Sequence, residues 1–235
     1  MRASGRANDE KRTVTIKPNV LKNASGSVLI SCGNTEVIVS AMVVDDVPPF
    51  LAETGRGWLT AEYAMLPAST PTRKRREKMK PDGRSTEIQR LIGRSLRSVM
   101  DFSALGERTI YIDCDVISAD GGTRTASITG GYAALKICVD GLLKEGKLTQ
   151  NPIRAQVAAI SCGIVDGEAL LDLEYTEDSS AEADMNVVMT DGGGMIEVQC
   201  TGEKRPISED EFVKLLALAK KGIAELCKIQ ASVEA

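Results

Sequence analysis

The chain has 235 residues, 43% hydrophobic and 26% charged, the usage of an ordinary globular protein with apolar material for a sizeable core. It contains no histidine, which excludes a Ser-His-Asp triad, a Cys-His pair and an imidazole metal cage, and leaves chemistry to carboxylates, hydroxyls, basic groups and backbone amides. A formal net charge of −4 argues against a protein that coats nucleic acid over its whole surface, and the lack of a signal-like or bilayer-length apolar run predicts a cytoplasmic protein with no membrane partner.

A single α+β domain over residues 1–235 is expected, with mixed sheets and helices against one sheet face. The first third reads as strands at Thr13 to Lys17, Ser27 to Cys32, Thr35 to Val44 and Trp58 to Met65, with a hairpin turn at Gly33-Asn34. A proline-rich and basic connection from Pro67 to Gly83 follows. Ser85 to Asp101 has the spacing of an amphipathic helix: Ile88, Leu91, Ile92, Ser95, Leu96 and Val99 share one face, and Arg90, Arg94 and Arg97 lie on the other. Glu107 to Ser118 returns to strand, and the glycine pair at Gly121-Gly122 leads into a second helix running to about Leu143. Four strands are predicted after Pro152, at Val157 to Val165, Glu168 to Tyr175, Ala183 to Thr190 and Met195 to Thr201. The capping-box pair Ser208 and Glu211 starts a final helix with an apolar face through Phe212, Leu215, Leu216, Ala219, Ile223, Leu226 and Cys227. The cysteines at 32, 114, 138, 162, 200 and 227 never form CxxC and read as small core residues.

Four segments carry possible chemistry. Asp120-Gly121-Gly122-Thr123-Arg124-Thr125-Ala126-Ser127 stands between a strand and a helix, where glycines let backbone approach an anion. Free helix amides, three hydroxyls and the Arg124 fork would serve as donors; a capped glycine turn is the plain alternative. Asp82-Gly83-Arg84 precedes the first long helix, and Arg84 there suits either a bound anion or a solvated loop end. Asp178 and Asp184 are joined by small residues and fit a Mg²⁺ ligand pair, a protonated general acid beside a carboxylate, or an Asx-capped loop. Arg73 to Lys80 reads RKRREKMK, six basic residues against Glu77, a phosphate-backbone contact or a solvated loop. Phe50, Trp58 and Tyr63 are the aromatics of the first half expected near it.

RSTEIQRLIGRSLR from Arg84 to Arg97, DCDVISADGGTRTASITGG from Asp113 to Gly131 and DLEYTEDSSAEADMNVVMT from Asp172 to Thr190 together resemble the ribonuclease PH family. WLTAEYAMLP from Trp58 to Pro67 and the opening Arg2, Gly5, Arg6 and Arg12 belong to the same pattern, so the resemblance is collinear over nearly the whole chain. It implies a ribosomal-protein-S5-domain-2-like fold, a homo-hexamer built as a trimer of dimers, and phosphorolytic 3′-to-5′ trimming of RNA, notably tRNA precursors, with inorganic phosphate as co-substrate and Mg²⁺ as cofactor. By the same resemblance Arg84, Gly122, Thr123 and Arg124 hold phosphate. Asp178 and Asp184 form the catalytic acidic pair and hold the metal, and Arg73 and Arg76 contact RNA. Ala68 departs from the pattern, because many members place a basic residue there; altered RNA affinity with an intact reaction is the expected consequence.

The reaction implied is attack of a phosphate oxygen on the last phosphodiester, with Asp184 protonating the leaving 3′ oxygen and Asp178 holding Mg²⁺, roles that a coupled pair could exchange. A hydrolytic metal nuclease, a silent RNA-binding ring subunit and a subunit active only with a partner chain are the rivals. Retention of Arg84, Arg124, Asp178 and Asp184 together speaks against silence.

Overall fold

A computed structural model of the chain describes residues 2–76 and 82–233. The chain runs β1 (Val14–Pro18), β2 (Gly26–Cys32), β3 (Thr35–Val44), β4 (Trp58–Met65), α1 (Gly83–Arg97), α2 (Phe102–Leu105), β5 (Thr109–Ser118) and α3 (Thr123–Lys144). It continues through β6 (Val157–Val165), β7 (Glu168–Leu171), α4 (Tyr175–Asp178), β8 (Ala183–Thr190), β9 (Met195–Gly202) and α5 (Glu209–Ala231). The strands form two sheets, ordered β1-β2-β3-β5-β4 and β7-β6-β8-β9. Only the β4–β5 pair is parallel; the other ladders are antiparallel.

Turn chemistry follows the sequence closely. Gly33 alone takes a positive φ in the two-residue turn between β2 and β3, whereas Asp166 and Gly167 both do so between β6 and β7. These are the patterns of II′ and I′ hairpins, whose twist matches that of the paired strands. Ser208 accepts from the Glu211 amide, and Glu211 reaches back to the Ser208 amide, closing the predicted capping box of α5.

Helix α3 is buried around almost its whole circumference and packs on both sheets. On one side it meets β2 and β3, where an added Cβ at Gly26 would lie 2.3 Å from the Ala134 carbonyl oxygen and 2.6 Å from the Cys138 nitrogen. On the other it meets β6, whose Val157 and Ala159 join the larger core while Ala158, Ile160, Cys162 and Ile164 turn to the core under α5. The second sheet is therefore covered on both faces, which corrects the expectation of helices against one face. The uninterrupted apolar run of β6 is the sequence counterpart of that burial. Five of the six cysteines are buried, none in a disulfide.

Two ends fall four residues short of the sequence reading. The first long helix stops at Arg97, because Met100 bridges to Ile153 and Asp101 turns to cap α2 by accepting from the Ser103 and Ala104 amides. β7 stops at Leu171, because Asp172 takes a positive φ of 56° and Glu174 opens α4 through a capping box with Glu177. No helix among the described residues is long and apolar enough to cross a membrane.

Gly26→Ala is expected to lower stability by about 1–3 kcal/mol, since the new methyl meets helix backbone that cannot rotate aside. A shifted urea midpoint with an unchanged slope would measure it.

Candidate active site

The glycine loop between β5 and α3 is built by close approach. Gly121 and Gly122 have φ of 73° and 67°, a region that costs little only for glycine. A Cβ on Gly121 would sit 2.6 Å from the Leu173 carbonyl oxygen, and one on Gly122 would sit 2.9 Å from Arg12 Nη2. Helix α3 starts at Thr123 with no side-chain cap, so the amides of its first turn face an anion-ready opening. Of the three hydroxyls expected there, Thr125 donates to the Gly122 carbonyl and Ser127 to the Thr123 carbonyl. Both turn inward. Thr123 Oγ1, also buried, shares a 2.8 Å hydrogen bond with the Tyr63 hydroxyl.

Arg124 is half-buried, and its Nη1 donates to Gln199 on β9 at 2.9 Å and to Glu87 on α1 at 3.3 Å. Arg84 is exposed in the first turn of α1, whose N-cap is Asp82, accepting from the Ser85 amide at 2.6 Å. α1 thus begins two residues earlier than the sequence pattern implied, placing Arg84 inside the helix. Its positive charge acts on both Tyr63 and Asp178, which sets it beside the glycine loop.

Asp178 is the last residue of α4 and Asp184 the second of β8. Burial pushes Asp184 up to about 6, and the Asp178 charge adds to this, while Arg124 and the hydrogen bond from Asn186 pull it down. Its Oδ2 accepts from Asn186 Nδ2 at 3.0 Å, and its Oδ1 is buried with no hydrogen-bond partner. Asp178 is also raised, by desolvation first and against the pull of Arg84 and Arg124. One neighbourhood therefore joins two arginines, a bare helix terminus and two mutually repelling carboxylates. An anion beside the arginines and a cation or proton between the carboxylates would complete it.

The described residues hold no group of three or more Asp, Glu, Cys or His side chains suited to enclosing a metal. Two carboxylates, one with an unpartnered buried oxygen, nonetheless fit Mg²⁺, which takes one or two protein carboxylates with waters and substrate phosphates.

The loop after β7 is locked to the glycine loop by residues to which sequence reasoning gave no role. Arg12 donates from its amide and Nε to Asp172 Oδ2, from Nη2 to Asp172 Oδ1, and from Nη1 to the Asp120 carbonyl at 2.5 Å. Asp120 Oδ1 accepts from the Tyr175 amide at the start of α4. Arg12 and Asp172 both lie in quoted motifs, but spacing could not pair residues 160 positions apart. Glu87, Asn186 and Gln199 were equally silent.

Arg73 and Arg76 are exposed, on a coil that leaves the end of β4. The remainder of the predicted basic stretch, at positions 77–80, lies outside the described residues. Ala68 is exposed in the turn just before it. The aromatic expectation is corrected in part: Tyr63 reaches the glycine loop, but Trp58 packs with Phe50, Phe102 and Arg97 at the opposite end of β4. Seven residues of strand place it roughly 23 Å from the Met65 end of β4.

Two family models cover most of the chain: 3′ exoribonuclease family domain 1 over residues 10–139 and domain 2 over residues 155–222. The chain belongs to the 3′ exoribonuclease family, of the ribonuclease PH type. It is 54% identical over 232 residues to Ribonuclease PH of Maricaulis maris, covering 98% of each chain. It is 57% identical over 227 residues to Ribonuclease PH of Neisseria meningitidis, covering 96% of this chain and 94% of the relative. The Archaeoglobus fulgidus exosome with RNA bound to the active site superposes with TM-score 0.83 at 25% identity, over 97% of this chain and 91% of that one. Rice Rrp46 shares the fold, with TM-score 0.80 at 18% identity, over 98% of this chain and 99% of that one. The S5-domain-2-like α+β fold is the one observed, and the chain is a phosphorolytic 3′-to-5′ exoribonuclease.

Two outcomes follow from the electrostatics. Burial alone would raise Asp172, but the Arg12 hydrogen bonds and charge outweigh it and hold the carboxyl below its ordinary value. Its stabilising contribution is therefore complete above the unfolded carboxyl range near ~3.9 and is lost as pH falls through the lower folded value. Asp172→Asn should cost about 3–5 kcal/mol at neutral pH, because it strands a buried guanidinium, and less at acid pH; denaturant titrations at several pH values would measure the difference. Asp178→Asn should move the Asp184 carboxyl down from about 6, because the neighbouring charge that raises it is gone. Carboxyl carbon NMR of the metal-free protein reads that shift.

Proposed function

We propose that this chain trims the 3′ ends of RNA, tRNA precursors among them, in the cytoplasm as a homo-hexamer of three dimers, with Mg²⁺ and inorganic phosphate at the site described above. The observation that carries the residue assignment is the convergence of Arg84, Arg124 and the uncapped start of α3 on the side where Asp178 and Asp184 repel each other. Arg84, Arg124, Thr123 and the Gly122 loop would hold the attacking phosphate. Phosphate is already anionic at neutral pH, so alignment and charge neutralisation are the main requirements, and no histidine base is called for.

One phosphate oxygen forms a bond to the phosphorus of the terminal phosphodiester as the bond from that phosphorus to the 3′ oxygen of the shortened RNA breaks. The 3′ oxygen takes a proton and the nucleoside leaves as its 5′-diphosphate. Asp184 is the proton donor in this reading: its burial and the Asp178 charge favour the protonated form. Asp178 would hold Mg²⁺, and Asp184 would join it once deprotonated; the bound ion would neutralise charge on the phosphate oxygens.

Arg73 and Arg76, exposed on the coil that follows β4, suit capture of the RNA backbone. Support for assembly comes from the outer face of the first sheet, where Met42, Val44 and Tyr111 remain exposed and Phe50 is 67% exposed nearby. An apolar patch of this kind marks a contact surface.

Purified chain incubated with 3′-labelled RNA should release label only when phosphate is present, and as nucleoside diphosphate. Monophosphate release without added phosphate would replace phosphorolysis by hydrolysis.

A further inference from the structure

Arg124 is fixed at one end of its fork. Nη1 donates to both Gln199 Oε1 and Glu87 Oε1, and no other hydrogen bond of this side chain to a described residue is present. The two partners belong to the elements that carry the rest of the site. Glu87 lies one helical turn after Arg84 on α1. Gln199 lies on β9 directly across from Asn186 on β8, and Asn186 holds Asp184.

We infer that Glu87 and Gln199 are positioning residues for phosphate: by taking Nη1 they turn the Nε–Nη2 edge of Arg124 toward the attacking anion. That edge has the parallel N–H geometry that matches two oxygens of one phosphate. An unheld arginine would have to give up rotamer freedom whenever phosphate bound, and the clamp removes that cost in advance. The clamp also divides labour by charge. Gln199 supplies an acceptor without a negative charge close to the anion, while Glu87 is 40% exposed at its side chain, so solvent screens its repulsion of phosphate. Because α1 and β9 each contribute one partner, the spacing of Arg124 from Arg84 and from Asp184 is set by the same two contacts. β9 is held against α1 independently by the Arg94–Glu197 ion pair.

The inference rests on Arg124 being a phosphate-holding residue, and its test separates the two. Steady-state kinetics on the purified full chain would give kcat and separate KM values for phosphate and for RNA. The double variant Glu87→Ala/Gln199→Leu should raise the phosphate KM about tenfold, with the RNA KM changed less than about twofold and kcat recovered at saturating phosphate. Glu87→Gln keeps an acceptor and should recover most of the phosphate affinity lost in Glu87→Ala. In an Arg124→Ala background the double change should have no further effect, since the residue it orients is gone. An unchanged phosphate KM, an equal rise in the RNA KM, or an additive effect in that background would each overturn the inference. If Arg124→Ala itself leaves the phosphate KM unchanged, the assignment of Arg124 fails; if it raises that KM and the double variant does not, only the clamp fails. Gln199→Leu alone, at an exposed position, keeps the test readable should the double variant lose stability.

Discussion

The buried pair of Arg12 and Asp172 is the constraint on which the site depends. Each residue is 5% exposed, a burial that charged groups tolerate only when paired and fully hydrogen-bonded. Arg12 meets that condition by donating to both Asp172 oxygens and to the Asp120 carbonyl at once. One guanidinium thereby ties the loop that ends β7 to the loop that begins α3. The first loop leads through α4 to Asp178; the second presents Gly122, Thr123 and Arg124. Their separation is a property of this contact and not of either sheet alone. Glycine at position 122 is part of the same device, since a side chain there would press on Arg12.

Around this tie the N-terminal segment behaves as a strap. Arg2 forms a two-pronged ion pair with Glu177 and donates to the carbonyls of Leu171 and Asp172. Arg6 also donates to the Asp172 carbonyl. Two arginines from the first six residues thus satisfy the carbonyls that the short β7 and the turn into α4 leave free of sheet bonds. Asp178 stands one residue beyond Glu177, so order in the strap is transmitted directly to that carboxylate.

Helix α3 supplies the second kind of rigidity. It is packed by both sheets, so its N-terminal turn cannot shift without disturbing the larger core. The electrostatic design then works on a fixed frame. The charges of Arg84 and Arg124 bear on Asp178, and burial together with the Asp178 charge raises Asp184, so that it keeps its proton more readily than a free carboxyl. In an aqueous loop the same groups would be screened and would have little influence on one another.

The local architecture was legible in the residues. Periodicity, turn glycines and the Ser208–Glu211 box located nearly every strand and the three long helices, because those signals act within a few residues of chain. The long motifs also identified the family. Where local signals failed, a distant partner had intervened: Met100 pairing with Ile153 ended α1, and Asp172 capturing Arg12 ended β7. Thr125 and Ser127 carried hydroxyls that sequence could only count as donors, and the start of α3 turned both onto its own backbone. Residue types and their local spacing determined the elements and the chemistry available. Only the tertiary structure decided which groups face one another, because the Arg12–Asp172 pair and the Arg124 clamp join segments whose proximity is set by packing of the two sheets around α3.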